Sequence, residues 1–377
     1  MSDTRTPLQG KRRQRYTLGV VFPLLLVLLL LGTPTLAHAS SYTPTSQLIF
    51  NDASGSRARR YIIQNTVVKV LDSAPRGATV KIATYWLDVM SVAQAIIRMD
   101  RRGVSVQLVT DRKHAHTKAV KAIQSAIKKN PHSKSSVFYR THTTRLMHAK
   151  FVLVSQSGKA KRIAMWGSSN FSKDNAERNG NDFRIRVDSP NYNCLSREFD
   201  RLNNHKIRDI TKGHTCESKG LLTQLTPASG DSLWITRGLS RINCKGGTKV
   251  RASSMQWSDV AVAQAFVRKQ SEGCDVQLLV SASYRRTLRR VFDALKNDTP
   301  HGHVKVYIAS AGHGIHYKWL AVQGNKQAWV MTGSLHPSKG SQHGVQLIVR
   351  EDNKSLTSRY MKQFKVLTTP SRSDRRS

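Results

Sequence analysis

An internal repeat restricts the fold of this chain more than any other feature of its 377 residues. Four short segments of the first half recur in the same order in the second half, at a spacing that shrinks slowly from 170 to 166 residues. Chance supplies one such match but not four in order, so we infer a duplication. The pairs are VAQAI (92–96) with VAQAF (262–266), VQLV (106–109) with VQLL (276–279), MHAK (147–150) with IHYK (315–318), and GS (167–168) with GS (333–334).

Both halves also show the same succession of apolar patterns. A β-branched run precedes an amphipathic helix, a second apolar run, a basic helix and a further strand. Strands that alternate with helices of this length indicate βαβ units. We therefore predict an α/β fold made of two similar halves related by a pseudo-two-fold, each with a mostly parallel or mixed sheet and outer helices. The predicted segments are 79–84, 91–102, 104–110, 115–129 and 136–139, then 249–253, 260–271, 275–280, 284–297 and 304–308.

The repeat and the composition together suggest five segments. Residues 1–39 have the pattern of a signal peptide, and residues 40–205 and 231–368 form the two halves. Residues 206–230 are rich in Gly, Ser, Thr and Lys and are expected to be a linker or loop. The basic residues 369–377 are expected to be a disordered tail.

The N-terminus is typical of an exported protein. A basic stretch (11–15) precedes an apolar run of about a dozen residues (20–31), which is shorter than the roughly 20 residues of a spanning helix. Ala37-His38-Ala39 offers a small-x-small cleavage pattern. We expect cleavage after Ala39 and secretion, with an uncleaved anchor as the alternative.

The formal net charge of +38 points to anionic partners. Residues 1–39 contribute only +4, so +34 remains on the rest of the chain. Nucleic acid, anionic lipid surfaces and cell-wall polyanions all suit such a balance. A soluble, self-repelling exterior without a specific partner is the alternative.

Four cysteines in an exported chain suggest two disulfides. Four cysteines allow three pairings, and we favour Cys194–Cys216 and Cys244–Cys274, the latter near the starts of two neighbouring strands. No CxxC or clustered Cys/His spacing is present, so metal ligation is not expected.

Two His-x-Lys motifs carry the chemistry that the sequence suggests. His148 and Lys150, and equally His316 and Lys318, would share one face of a strand. The lysines can neutralise the oxygens of a phosphodiester, while one imidazole attacks phosphorus and the other protonates the leaving oxygen. Such a reaction needs no metal and no cofactor. The hydroxyl and amide groups that follow each motif can donate hydrogen bonds to phosphate, namely those of Ser168, Asn170 and Ser334.

The pattern HxK followed by GSxN, occurring twice, resembles the phospholipase D superfamily from about residue 48 to residue 367. The resemblance implies two α/β halves with the active site between them, and an active phosphoric diester hydrolase. It also implies that His148 is the nucleophile, that His316 is the general acid, and that Lys150 and Lys318 bind phosphate together with Ser168, Asn170 and Ser334. Both half-sites lie in one chain, so we expect a monomer.

The chain departs from the family pattern at three places. Ser155 and Gln323 stand where the motif has Asp, and His336 stands where the second GSxN has Asn. The family also has carboxylates after GSxN that orient the histidines, and Asp182 is a candidate for one of them. The second half has no acidic residue between 333 and 350, so Gln346 or His343 would have to substitute.

Several functions remain open from the sequence. A secreted phospholipase D acting on phospholipid head groups is slightly preferred, a nuclease of the same superfamily is second, and a catalytically weakened cationic binding protein is third.

A few further side chains could line the site. Tyr85-Trp86, Gln256-Trp257 and His313 could do so, or could simply be core or turn residues. Two basic helices could bind anions or simply be solvated, and their basic residues are Lys118, Lys121, Lys128 and Lys129 in the first half and Arg285, Arg286, Arg289 and Arg290 in the second.

Overall fold

Two mixed β-sheets form the framework of the protein. The computed structural model describes residues 41–140, 146–207, 210, 212–225, 233–281, 285–309, 314–324, 326–338, 341 and 344–369. The strands are β1 Gln47–Phe50, β2 Thr79–Thr84, β3 Ser105–Asp111, β4 Ser136–Arg140, β5 Phe151–Ser157, β6 Ala160–Gly167, β7 Asn179–Gly180, β8 Asp182–Arg186, β9 His214–Ser218, β10 Leu221–Leu225, β11 Lys249–Ser254, β12 Asp275–Ser281, β13 Lys305–Ala309, β14 Gly314–Ile315, β15 Lys318–Gly324, β16 Gln327–Gly333 and β17 Leu347–Asp352.

Helices begin after residues that cap them, as Thr117, Asp259 and Asn353 do by accepting a hydrogen bond from a backbone N–H of the first turn. The helices are α1 Arg57–Arg60, α2 Ile62–Asp72, α3 Met90–Arg101, α4 Lys118–Lys129, α5 Lys173–Glu177, α6 Tyr192–Leu202, α7 Leu233–Ser240, α8 Val260–Ser271, α9 Arg285–Leu295 and α10 Lys354–Thr368. Helices pack on both faces of the first sheet, with α2, α3 and α4 on one face and α6 on the face turned to the other half.

The strand order shows the duplication directly. The first sheet has the order β1-β8-β6-β5-β2-β3-β4, and the second has β13-β12-β11-β15-β16-β17-β10-β9, which is the same order read from its other edge with β9 added. In each sheet the first three βαβ strands are parallel and the remaining pairs are antiparallel. The predicted two-half α/β fold with mixed sheets is therefore confirmed.

The expected linker differs from the structure. Residues 206–230 contain the hairpin of β9 and β10, and β10 pairs with β17 just as β1 pairs with β8 in the first half. The reason is the alternation of residues 221–225, in which Leu221, Thr223 and Leu225 are all buried and Thr223 accepts a hydrogen bond from Asn191. This segment therefore supplies the edge of the second sheet.

The two halves share a core. Trp166 and Phe151 of the first sheet pack in one apolar cluster with Leu347 and Val349 of the second. A buried ion pair also crosses between the halves, because Glu351 accepts hydrogen bonds from Arg184 at 2.9 Å and from Arg186 at 2.6 Å.

Both predicted disulfides are present. Cys194 and Cys216 join α6 to β9, with their Cα atoms 6.3 Å apart. Cys244 and Cys274 lie just before β11 and β12, with their Cα atoms 4.6 Å apart. The first bridge therefore ties a helix of the first half to the edge of the second sheet, and the other bridge ties two strand starts of the second sheet together.

Some of the sequence predictions fall outside the described residues. These are the signal peptide, the tail beyond residue 369, and the side chains of His313, His343, Arg285 and Arg286. Lys118, Lys121, Lys128 and Lys129 of α4 and Arg289 and Arg290 of α9 are exposed. Within the described ranges, none of the helices has the length and apolar character needed to span a bilayer.

Candidate active site

The two histidines lie in equivalent loops on the line where the halves meet. His148 follows a one-residue bridge between Met147 and Val345, and its N–H donates to the Val345 carbonyl at 2.8 Å. His316 follows β14, and its N–H donates to the Gly180 carbonyl at 2.7 Å. Each histidine thus belongs to one half and is held by the backbone of the other. The strands begin only at Phe151 and Lys318, so the expectation that His148 and Lys150 lie within a strand is corrected.

An amide oxygen from the opposite half holds each imidazole. His148 Nδ1 lies 2.8 Å from Gln346 Oε1, and His316 Nδ1 lies 2.9 Å from Asn181 Oδ1. The Asn181 amide nitrogen donates to the carbonyls of Asn175 and Asn179, and the Gln346 amide nitrogen donates to the carbonyl of Ser341. Because both amide nitrogens are used elsewhere, their oxygens face the rings, and each Nδ1 carries the proton. In the neutral form of each ring the lone pair is therefore on Nε2.

Asp182 does not take the role that the sequence suggested. Its carboxylate accepts hydrogen bonds from Ser168 at 2.7 Å, from Tyr360 at 2.8 Å and from Thr332, and it does not contact a histidine. The preceding residue, Asn181, contacts His316 instead. Side chains alternate across a strand, so a shift of one residue exchanges the two faces. Asp182 joins the sheets beneath the site, and burial raises its pKa.

The two lysines lie beside the histidines. Lys150 Nζ donates to the His148 carbonyl at 2.6 Å, and Lys318 Nζ donates to the His316 carbonyl. Both are buried, at 1% and 4% exposure. Burial and their mutual repulsion hold the pKa of Lys150 well below its usual range, and burial does the same for Lys318. A bound anion would relieve both effects, so the pair forms a site for negative charge.

The glycine of each Gly-Ser pair lets two adjacent strands approach closely, β6 and β8 in the first half and β16 and β17 in the second. A Cβ at Gly167 would lie 2.2 Å from the Asp182 carbonyl oxygen, and one at Gly333 would lie 2.0 Å from that of Leu347. The following serines are held by the neighbouring strand: Ser168 Oγ accepts from the Asp182 N–H, and Ser334 Oγ accepts from the Leu347 N–H. Only glycine permits this approach, which places both serines at the floor of the site.

The second residue after each Gly-Ser pair differs between the halves. Asn170 is buried and its N–H donates to Asn175, while its Oδ1 has no hydrogen-bond partner among the described residues. His336 is buried at 5% exposure and lies between the two other imidazoles, with ring centroids 5.9 Å from His148 and 6.2 Å from His316. The site therefore contains three imidazoles and two lysines.

Three aromatic rings form one wall beside His148. The Tyr85 ring lies 5.0 Å from the His148 ring and 4.5 Å from the His114 ring, and His114 stacks on Trp86 at 4.6 Å. The repeat places Met255 and Gln256 at the corresponding positions of the second half, so the site is asymmetric. Trp257 is core, since it is buried against Phe266.

The two positions that lack the motif Asp lie far from this site. Ser155 is in β5, seven residues after His148, and its Oγ accepts a hydrogen bond from the Thr79 N–H at 2.9 Å. Gln323 is near the end of β15 and donates to Ser358. Seven residues of extended chain span about 23 Å, so both departures concern the sheet rather than the reacting groups.

The surroundings of the three imidazoles favour their neutral form. Burial lowers the pKa of His148, His316 and His336 well below the usual value, and Lys150 and Lys318 lower it further. Asn181 and Gln346 are neutral, so they add no charge that would hold a proton on His316 or His148. The described residues include no group of three or more His, Cys, Asp or Glu side chains that could hold a metal ion.

Comparison with known proteins finds a family model that matches part of the first half. The family model described as "Cardiolipin synthase, PLD-like domain" matches residues 67–203. The comparison with curated proteins finds no match.

Among solved structures the fold extends over both halves. A polyphosphate kinase from Porphyromonas gingivalis matches with a TM-score of 0.61 and 13% identity, over 86% of this chain and 51% of that chain, so this chain spans about half of its length. A phosphatidylserine synthase from Haemophilus influenzae matches with a TM-score of 0.59 and 10% identity, over 86% of this chain and 87% of that chain. The yeast tyrosyl-DNA phosphodiesterase matches with a TM-score of 0.51 and 8% identity, over 82% of this chain and 90% of that chain.

The PLD-like match in the first half, a second half with the same strand order, and paired His-x-Lys motifs define a duplicated PLD-like scaffold. The domain match over residues 67–203, together with solved structures that are similar in fold over most of the chain, supports the phospholipase D superfamily.

Proposed function

We propose that the protein is a phosphodiesterase in which His148 is the nucleophile and His316 is the general acid. The observation that carries this proposal is the symmetric placement of the two imidazoles. Each comes from one half and is held through Nδ1 by an amide oxygen of the other half, so the mechanism uses Nε2 of each ring.

The first step forms a covalent intermediate. His148 Nε2 attacks phosphorus and forms an N–P bond, while the P–O bond to the leaving group breaks. Protonated His316 donates its Nε2 proton to the leaving oxygen. Lys150 and Lys318 neutralise the charge that develops on the non-bridging oxygens.

The second step releases the product. His316, now neutral, accepts a proton from water as the water oxygen attacks phosphorus, and the N–P bond to His148 breaks. The amide partners do not stabilise an imidazolium as a carboxylate would, so we expect a slower acid step than in relatives with carboxylates at these positions. A bound diester anion supplies part of the missing stabilisation.

We propose a phospholipid head group as the substrate and export as the setting. The N-terminal pattern of a secretory signal supports export. The phosphatidylserine synthase, similar in fold over 87% of its length, supports a phospholipid. The surplus of positive charge supports docking on an anionic surface.

A nuclease is the second candidate, and two observations favour it. The net charge of +38 suits a polyanion, and the wall of Tyr85, Trp86 and His114 offers ring faces beside the nucleophile on which a base could stack.

The test measures turnover of the purified protein on two substrates in parallel. Phosphatidylcholine vesicles report choline release and single-stranded DNA reports strand cleavage, for the wild type, for His148→Ala and for His132→Ala. His132 is exposed and lies outside the site, so its variant is the matched control. Choline release that is lost only in His148→Ala supports the phospholipase, and DNA cleavage with the same dependence supports the nuclease instead. Binding without turnover of either substrate refutes both.

A further inference from the structure

We propose that His336 makes anion binding at this site proton-dependent: it takes up a proton when a phosphate group enters the site and then donates it as a hydrogen bond. This inference rests on the proposed function only in assuming that phosphate binds between the halves. It concerns a residue that stands where the family pattern has asparagine, whose amide donates at any pH.

The position of His336 makes it a direct neighbour of bound phosphate. It is buried and its ring lies about 6 Å from both His148 and His316, on the loop that follows the Gly333-Ser334 pair. The titratable groups that face it are His148, His316, Lys150 and Lys318. All of these are cationic or neutral, and no described carboxylate is among the groups that shift its pKa.

The hydrogen bonds of His336 leave one ring nitrogen for the ligand. Its Nδ1 lies 3.2 Å from Ser254 Oγ, and Ser254 Oγ also donates to the Gln256 carbonyl at 3.3 Å. When the hydroxyl proton points to Gln256, the Nδ1–H donates to Ser254. The protonated ring is therefore satisfied at Nδ1 and retains an Nε2–H for an anion.

The proton balance changes when an anion binds. In the empty site, burial and the adjacent cations lower the pKa of His336 well below 6.5, so the ring is neutral at neutral pH. An anion between His336 and the two lysines reverses the sign of the nearest charge and raises this pKa. Binding then draws one proton from solvent onto His336. Affinity accordingly rises as the pH falls and levels off below the pKa of the empty site.

The test measures sulfate binding, since the charge of sulfate is constant over the pH range used. Titration calorimetry at pH 7 in two buffers of different ionisation enthalpy gives the number of protons taken up, for the wild type and for His336→Asn. We expect His336→Asn to take up about one proton fewer than the wild type when sulfate binds. Between pH 6 and 8, the sulfate affinity of the wild type should therefore depend on pH more steeply than that of the variant, by up to tenfold per pH unit. Equal proton uptake by the two proteins overturns the proposal, as does a wild type that does not bind sulfate at pH 6.

A second variant keeps the test independent of how well His336→Asn folds. Ser254→Ala removes the acceptor of the Nδ1–H, so the rise in sulfate affinity should move to lower pH while the plateau is retained. An unchanged midpoint overturns the proposal. Because neither measurement requires turnover, a protein that binds sulfate with proton uptake but cleaves no diester refutes the proposed function alone.

Discussion

Asn181 and Gln346 decide where the protons of the catalytic histidines lie. Their oxygens accept from His316 and His148, and their amide nitrogens are committed to backbone carbonyls. An amide fixes the tautomer and orientation as a carboxylate would, but it does not favour the charged ring. The histidines are thus positioned for reaction while their pKa values remain low.

Replacing Gln346 or Asn181 by a carboxylate should show in the pH–rate profile which histidine is the nucleophile and which is the acid. An anion beside an imidazole raises its pKa by about 1 to 3 pH units. Gln346→Glu should raise the pKa of His148, and since a nucleophile must be neutral, the acidic limb of the pH–rate profile moves to higher pH. Asn181→Asp should raise the pKa of His316, and since an acid must be protonated, the alkaline limb moves to higher pH.

The measurement is kcat/KM against pH for both variants, with Gln323→Glu as the control, because Gln323 lies near the end of β15 and outside the site. If Gln346→Glu moves the alkaline limb and Asn181→Asp the acidic one, the two histidines have the opposite roles.

At the residue scale the sequence predicted most of the reacting groups. The duplication singled out both His-Lys pairs and both serines, and the structure brings these together. Asn181 was not predicted because the carboxylate beside it was the more expected residue. The spacing between repeated segments shrinks along the chain, and at a spacing of 165 residues Gln346 pairs with Asn181. This pairing could have pointed to Asn181 as the equivalent of Gln346. Ser254, Tyr360 and Thr332 could not be predicted, because they are contacts between distant segments.

At the scale of elements, the Gly-Ser turns should be the least tolerant positions of the strands. Gly167→Ala and Gly333→Ala each place a Cβ within about 2.2 Å of a backbone oxygen of the adjacent strand, so the strands must separate and the following serine must move. We expect each variant to lose about 2 kcal/mol or more of folding free energy. We also expect each variant to lose turnover.

Chemical denaturation measures this loss, with Gly238→Ala as the control. At Gly238 the nearest atom to an added Cβ is the end of the Met331 side chain, which can move. Variants of Gly167 and Gly333 that are as stable as Gly238→Ala would contradict the close approach of the strands.

Elements with a strong pattern were predicted well, and those that depend on partners were not. The strand at Thr79–Thr84 and the helix at Val260–Ser271 have the predicted bounds, because their periodicity is local. The hairpin of β9 and β10 was taken for a linker because both strands are short and lie in a stretch rich in Gly, Ser, Thr and Lys. Its place in the sheet depends on the pairing of β10 with β17, which is distant in sequence. The loops that carry His148 and His316 resemble strands in sequence but are shaped by bridges to the opposite half.

At the scale of the molecule, Glu351 should stabilise the junction of the two halves. It is 2% exposed and lies between Arg184 and Arg186 of the other sheet. Glu351→Gln leaves a buried guanidinium without its counter-charge, which costs about 3 kcal/mol. Thermal and chemical unfolding measure the loss, with Glu217→Gln, at an exposed position, as the control. Equal stability of the two variants would show that the ion pair contributes little.

The whole-molecule arrangement followed from the duplication, since two similar halves with one site between them are the simplest way to use two equivalent motifs. The substrate does not follow from it. The charge suits both a lipid surface and a nucleic acid, and the groups that would distinguish them lie on an asymmetric wall, near Tyr85 and Trp86, that the repeat does not specify.

The central claim is that His148 attacks phosphorus, and trapping the intermediate tests it most directly. Turnover is quenched within milliseconds and the protein is analysed by intact mass and peptide mapping, for the wild type and for His148→Ala, with the substrate that the wild type cleaves. We predict that the wild type carries one substrate-derived phosphoryl adduct, mapped to His148, and that His148→Ala carries none and has lost at least a thousandfold in kcat. An adduct on His316, or undiminished turnover by His148→Ala, would contradict the account.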